Sequence, residues 1–77
     1  MEELDRLRKE IDRIDDQVIP LLELRFKIVK DLKKHKKSLT DKRREEEILE
    51  KASSERVREV YREIFKNSKK LMSDDGL

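Results

Sequence analysis

The 77-residue sequence contains no cysteine and no tryptophan, and it has only one glycine, one proline, two phenylalanines and one tyrosine. Without cysteine, a disulfide framework and a thiolate metal site are excluded. Sandwiches, barrels and doubly wound sheets are not expected, because they need many glycine- and proline-containing turns. The longest apolar run, residues 18–22, is far shorter than a membrane span, and no signal peptide opens the chain. We therefore expect a soluble, cytoplasmic protein.

Charged residues are abundant and make up 52% of the chain, within a mass of 9.4 kDa that allows one domain over residues 1–77. Glutamate, lysine, arginine, leucine and isoleucine dominate, which is typical of long helices. The composition therefore predicts an all-α fold. With a single asparagine and a single glutamine, it also resembles the composition of proteins from hot environments.

The first half of the chain has apolar residues in alternating steps of three and four: Leu4, Leu7, Ile11, Ile14, Val18 and Leu21. The same spacing continues to Ile28 and Leu32, and this predicts one long helix from about residue 3 to about residue 36. Pro20 removes one backbone hydrogen bond, so we expect a kink there. Because the stripe keeps its phase across Pro20, we expect the helix to continue beyond it.

Two shorter helices are predicted at about 42–52 and 55–72, followed by a tail at 73–77. Thr40 or Asp41 is the expected N-cap of the second helix, and Ser53-Ser54 offers a cap for the third. The apolar stripe of the third helix begins at Val57 and Val60. The first helix would be roughly 50 Å long at about 1.5 Å per residue. The two short helices cannot cover its whole stripe, so we expect an intertwined homodimer.

Polar side chains occupy positions at which each helix should be apolar. Arg25 lies on the stripe of the first helix, and Lys36 follows eleven residues later on the same face. In the second helix, Glu45 shares a face with the apolar residues and Arg44 borders it, and Ser68 interrupts the stripe of the third helix. Burying charges without partners costs several kcal/mol. Since the cations outnumber the single carboxylate of this set, we predict a site for an anionic ligand.

Other patterns favour less specific interpretations. Arg25 and Lys36 could instead reach solvent along the edge of the stripe. Residues 33–37 are basic, but without interleaved aromatic residues they are more typical of a solvated helix end than of a nucleic-acid site. His35 is the only histidine and Gly76 the only glycine, so a zinc site, a catalytic triad and a glycine-rich phosphate loop are not expected.

The order and spacing of four segments resemble the all-helical chorismate mutases. The segments are Leu7-Arg8-Lys9-Glu10-Ile11-Asp12-Arg13-Ile14-Asp15, Leu21-Leu22-Glu23-Leu24-Arg25, the single Lys36, and Asp41-Lys42-Arg43-Arg44-Glu45. The resemblance implies a three-helix protomer whose long first helices pair in a domain-swapped dimer with two equivalent sites. It also implies the [3,3] pericyclic rearrangement of chorismate to prephenate, on the route to phenylalanine and tyrosine.

The same resemblance implies roles for individual residues. Arg25 would bind one substrate carboxylate, and Arg8 of the partner subunit would bind the other. Lys36 would reach a carboxylate and the ether oxygen of the breaking C–O bond. The expected catalytic residues are Arg25, Lys36 and Glu45. A pericyclic reaction needs no nucleophile, metal or cofactor, and we expect none.

The remaining roles belong to the second and third helices. Glu45 and the backbone of Asp41 would hold the ring hydroxyl of the substrate. Arg44 would orient these groups, and Ser68 would contact a carboxylate. Chorismate is a dianion, which matches the surplus of cations in the predicted site.

Two departures from the family pattern stand out. Met72 occupies the position, four residues after Ser68, at which the family usually has glutamine or glutamate, and a thioether cannot donate a hydrogen bond. The link at residues 52–54 is short.

Two other functions are compatible with the sequence. One is an isochorismate pyruvate-lyase, and the other is a non-catalytic helical dimerisation module in which the charges on the stripe set the register.

Overall fold

The computed structural model describes residues 2–35 and 41–73. These residues form three helices, α1 at Glu2–Leu32, α2 at Lys42–Lys51 and α3 at Glu55–Ser73, and a 3₁₀ turn at Lys33–His35 follows α1. The described ranges contain no strand. The all-helical class predicted from the composition is confirmed.

The long helix α1 runs without interruption through Pro20, as the constant phase of its stripe predicts. Its α-helical part ends at Leu32, four residues before the predicted boundary, and the chain continues in the 3₁₀ turn. Such turns are frequent at helix ends, where the last carbonyls have lost their usual partners. The first turn contains acidic residues, which interact favourably with the helix dipole, and Arg6 pairs there with Glu3 and, at 2.8 Å, with Glu10.

Side-chain caps begin both short helices. An Asp41 carboxylate oxygen accepts a hydrogen bond of 3.1 Å from the backbone N–H of Arg44. The Ser54 hydroxyl accepts one of 3.2 Å from the backbone N–H of Val57. Each cap satisfies an N–H group that has no partner within its own helix. Asp41, one of the two residues predicted for the first of these caps, does serve as the N-cap, whereas Thr40 lies outside the described residues.

Arg58 holds the end of α2 against the start of α3. Its guanidinium donates hydrogen bonds of 3.3 Å to the Leu49 carbonyl and 2.9 Å to the Ala52 carbonyl. Both carbonyls lie where α2 ends, and the Leu49 carbonyl also accepts a hydrogen bond of 3.2 Å from the backbone N–H of Ala52. Glu55 pairs with Arg62 at 2.6 Å and with Arg58 at 3.5 Å, and the hydrogen bond from Arg62, more than any other contact, holds the pKa of the Glu55 carboxyl below its ordinary value. The short link is thus fixed by side chains of the first two turns of α3.

The most buried side chains of the described residues all belong to α3: Ile64, Phe65 and Met72. Phe65 packs against Tyr61, with ring centroids 5.9 Å apart. The second half of α1 and the helix α2 both lie against α3. The core of the single chain is therefore small, and it lies at the end of α1 that precedes the 3₁₀ turn.

The first part of α1 has no cover in the single chain. All residues from Glu2 to Leu21 are exposed, including the apolar ones of the stripe. Val57 and Val60, which the stripe of α3 places inward, are also exposed, by 44% and 55%. The prediction of their burial is wrong for the isolated chain, because the small core lies further along α3.

The dimensions of the chain reflect this uncovered helix. Its longest axis is 53 Å and its radius of gyration is 15.9 Å, against about 11–12 Å for a compact domain of this length.

None of the helices in the described ranges combines the length and the apolar character that crossing a membrane requires.

Candidate functional site

A cavity of about 300 Å³ lies where the second half of α1 meets α2 and α3. Every helix contributes to its wall. The lining residues are Arg25, Ile28, Val29, Leu32, Asp41, Arg44, Glu45, Ile48, Phe65, Ser68, Lys69 and Met72. Arg25, Glu45 and Ser68, which interrupt the stripes of the three helices, therefore meet in one place.

Arg25 extends from α1 into this cavity and is only half-buried. Its guanidinium carbon lies 5.8 Å from the centre of the Phe65 ring, within the range of a cation–π interaction. One of its terminal nitrogens donates a hydrogen bond of 3.1 Å to the Ser68 hydroxyl. A guanidinium has five N–H donors, so Arg25 is held in place by two residues of α3 and keeps donors that can bind an anion.

Ser68 connects this arginine to the backbone of α3. Its hydroxyl accepts from Arg25 and donates a hydrogen bond of 2.7 Å to the Ile64 carbonyl, one helical turn earlier. Bonds of this type back to the preceding turn are a common alternative for serine within helices. The hydroxyl can rotate, so it can exchange the Ile64 carbonyl for an anionic oxygen in the cavity without any movement of the helix.

Glu45 faces the cavity from α2 and pairs with Lys69 of α3. The distance from the Lys69 ammonium to a Glu45 carboxylate oxygen is 3.1 Å, and the side chains are 37% and 25% exposed. Lys69 is not among the site residues predicted from the sequence. The signal that could have identified it is its spacing, four residues after Phe65 and three before Met72, which places it on the same helical face.

The cations of the lining outnumber its carboxylates. Arg25, Arg44 and Lys69 face Asp41 and Glu45. The Asp41 carboxylate already caps α2, and the Glu45 carboxylate is paired with Lys69. Within residues 2–35 and 41–73 the structure gives no carboxylate partner for Arg25 or for the exposed side chain of Arg44. The cavity is thus suited to a small anion.

One predicted site residue among those described, Arg8, does not line this cavity. Arg8 is exposed in the first half of α1, seventeen residues before Arg25, which corresponds to about 26 Å along the helix. Arg8 therefore cannot reach the cavity of its own chain. Lys36 lies outside the described residues.

Met72, the residue that departs from the family pattern, lies at the cavity. It lines the cavity and is 7% exposed, one turn beyond Ser68. The wall that α3 presents there is therefore apolar, with no group able to donate a hydrogen bond at residue 72. Among the described residues, no group of three or more histidine, cysteine, aspartate or glutamate side chains is placed to hold a metal ion.

Comparison with protein families gives a match over most of the chain. The model of the family described as chorismate mutase type II matches residues 7–73, a range that includes nearly all of α1 and the whole of α2 and α3. Comparisons with curated proteins and with solved structures give no significant match.

Proposed function

The chain belongs to the chorismate mutase type II family, and from this premise we propose that it converts chorismate to prephenate. The observation that supports this function most directly is the convergence of Arg25, Glu45 and Ser68, from three different helices, on one cavity with a surplus of cations. Each of these residues matches a position to which the family resemblance assigns a substrate contact. The enzyme would be an isomerase that needs no cofactor.

Substrate binding is then largely electrostatic. Arg25 binds one carboxylate through the N–H donors that it does not use on Ser68, and Ser68 adds a hydrogen bond to the same group. Glu45 and the backbone of Asp41 hold the ring hydroxyl at the start of α2. Arg44, on the same turn of α2, orients these groups. These contacts fix both ends of a flexible dianion in a compact, chair-like conformation.

Catalysis follows from that conformation and from charge. Holding the two reacting ends of the substrate close together removes most of the entropic cost of the reaction. As the C–O bond breaks, negative charge grows on the ether oxygen, and the ammonium of Lys36 stabilises it. An acceleration of about 10⁶, or about 8 kcal/mol, is within the range of these two effects.

The active unit that we propose is a homodimer with Arg8 supplied across the interface. The exposed stripe over the first twenty residues of α1 is too long and too apolar for a free surface. A second copy of α1 covers it most simply, because the same stripe on both chains is self-complementary about a two-fold axis. Such pairing would bring Arg8 of the partner subunit to the cavity that contains Arg25.

The first test is an assay of the purified protein with chorismate, followed by ultraviolet absorbance and identification of the product. We expect chorismate to be consumed and prephenate to be the product. Isochorismate, offered separately, should be turned over more slowly. Pyruvate released from isochorismate, without prephenate from chorismate, would identify the lyase instead. No turnover of either compound at high enzyme concentration would contradict the proposed function.

A second expected result concerns Met72. Replacing it with glutamine should raise kcat by about tenfold, because a hydrogen-bond donor would then face the developing charge on the ether oxygen. The matched control is Met72→Leu, which keeps the volume and the apolar character of the side chain and should leave kcat nearly unchanged. Steady-state kinetics of the three proteins would decide the matter. An unchanged or lower kcat for Met72→Gln would mean that residue 72 does not face the ether oxygen.

A further inference from the structure

The ion pair between Lys69 and Glu45 joins two helices inside the proposed site. Its nitrogen and oxygen atoms are 3.1 Å apart, and both side chains line the cavity. The pairs of Arg6, Arg43 and Arg62, in contrast, each lie within one helix and on its exposed surface. The position of Lys69 is therefore unusual for a charged residue of this chain.

The charge of Glu45 creates a difficulty for the binding of a dianion. Its carboxylate lies in the same cavity that has to accept two further negative charges, and like charges at short distance repel each other. A cation paired with Glu45 offsets this repulsion. Lys69 is such a cation, because it approaches Glu45 from α3 with its ammonium 3.1 Å from one oxygen of the carboxylate.

Other cations of the described residues do not have this relation to Glu45. Arg25 is bonded to Ser68 and lies over Phe65. The backbone of Arg44 is bonded to Asp41, and its side chain is exposed. Lys69 alone among the lining cations of the described ranges contacts the Glu45 carboxylate.

We infer that Lys69 is a positioning residue, which acts through Glu45 by cancelling its charge and fixing one of its oxygens, so that the other oxygen can accept the hydroxyl of a dianionic substrate. This inference rests on the proposed function. A partly exposed ion pair contributes little to folding, so the main effect of Lys69 should be on substrate binding and not on stability.

The test is a double-mutant cycle with chorismate as the substrate. Lys69→Met should raise KM about tenfold, because the repulsion from Glu45 is no longer cancelled, and should lower kcat less than about threefold. Lys69→Arg should restore KM to near the wild-type value. In a Glu45→Gln background, where the negative charge is absent, Lys69→Met should change KM by less than about twofold. The matched control is Lys70→Met, at an exposed lysine of the same helix, which should leave both constants unchanged.

Each alternative gives a different pattern. If Lys69 bound the substrate directly, Lys69→Met would raise KM by the same factor with and without Glu45, and the inference would be wrong. If Lys69 served only to hold α2 against α3, Lys69→Met would lower the thermal midpoint of circular dichroism and leave KM unchanged, which would also overturn it. A wild-type protein without chorismate turnover would overturn the proposed function together with this inference, whereas an additive cycle in an active protein overturns the inference alone.

Discussion

Replacing Arg25 with alanine is expected to lower kcat/KM for chorismate by about 10³-fold, which is the scale for removing one partner of a buried, hydrogen-bonded charge pair. The helical content and the oligomeric mass should not change. The side chain is held over Phe65 and by Ser68, but it is not among the buried residues of the core. Its removal should therefore take the proposed anion-binding group from the site and should destabilise the fold little.

Arg25→Lys separates charge from shape. A lysine keeps the positive charge but cannot form the planar, two-pronged contact of a guanidinium with a carboxylate. We expect it to recover only part of the lost kcat/KM. Lys27→Ala, at an exposed position of the same helix, is the matched control and should retain full activity.

Arg25→Ala also distinguishes the enzyme from a dimerisation module. If Arg25 only sets the register of paired helices, Arg25→Ala should alter the oligomeric mass measured by light scattering. If it binds the substrate, the mass should remain that of the wild type while chorismate binding, measured by calorimetry, is lost. A changed mass with retained binding would contradict the proposed role of Arg25.

The convergence of Arg25, Glu45 and Ser68 could be predicted because each residue breaks the apolar rule of its own helix. A polar side chain on an inward stripe needs a partner, so three such side chains are expected to share one polar site. Helical periodicity alone, with the caps at Asp41 and Ser54, is enough to predict the helices on which these residues lie. The structure brings the three residues to one cavity, where Arg25 is bonded to Ser68 and Glu45 is paired with Lys69.

The spacing of Lys69 places it near the cavity face of α3, but its pairing with Glu45 could not be predicted from the sequence. It lies beside the stripe of α3, where a lysine is usually solvated, and its contact with Glu45 depends on how α2 is rotated and shifted along α3. Packing sets that rotation and shift, and no local pattern in the sequence encodes them. Arg58 is a similar case, because its hydrogen bonds to the last carbonyls of α2 depend on the angle at which the two helices meet.

Periodicity also shows which face of a helix is apolar without showing what covers it. Val57 and Val60 lie on the stripe of α3 and yet are exposed in the single chain.

The end of the α-helical part of α1 at Leu32 could not be predicted from the sequence either. Lysines follow it, and since lysine is a good helix former, the sequence gives no sign that the α-helix stops there and that a 3₁₀ turn begins.

The position of Arg8 in the exposed half of α1 allows a direct test of the proposed dimer. Arg8 lies about 26 Å along the helix from Arg25, so the two arginines of one chain cannot share a site. In a two-fold dimer, each site would combine Arg25 of one protomer with Arg8 of the other. Arg8→Ala and Arg25→Ala should therefore both be nearly inactive as pure proteins. Each variant keeps the arginine that the other lacks, so the two can complement each other in one dimer.

A mixed dimer of these two inactive variants should regain activity. One of its sites contains both intact arginines, and the other site has lost both. Co-expression with two different affinity tags, followed by purification on each tag in turn, isolates the mixed species. We expect it to show about half of the wild-type kcat per dimer, with a wild-type KM, because one of the two equivalent sites is complete.

The control for this experiment pairs Arg8→Ala with the double variant Arg8→Ala/Arg25→Ala. Neither site of that mixed dimer contains both arginines, so its activity should remain as low as that of the parents. Recovery in the first mixture and none in the second can arise only if Arg8 acts across the interface. If the first mixture stays inactive while its dimeric mass is confirmed by light scattering, Arg8 does not complete the site of its partner, and the interface that we propose along α1 has to be replaced by another.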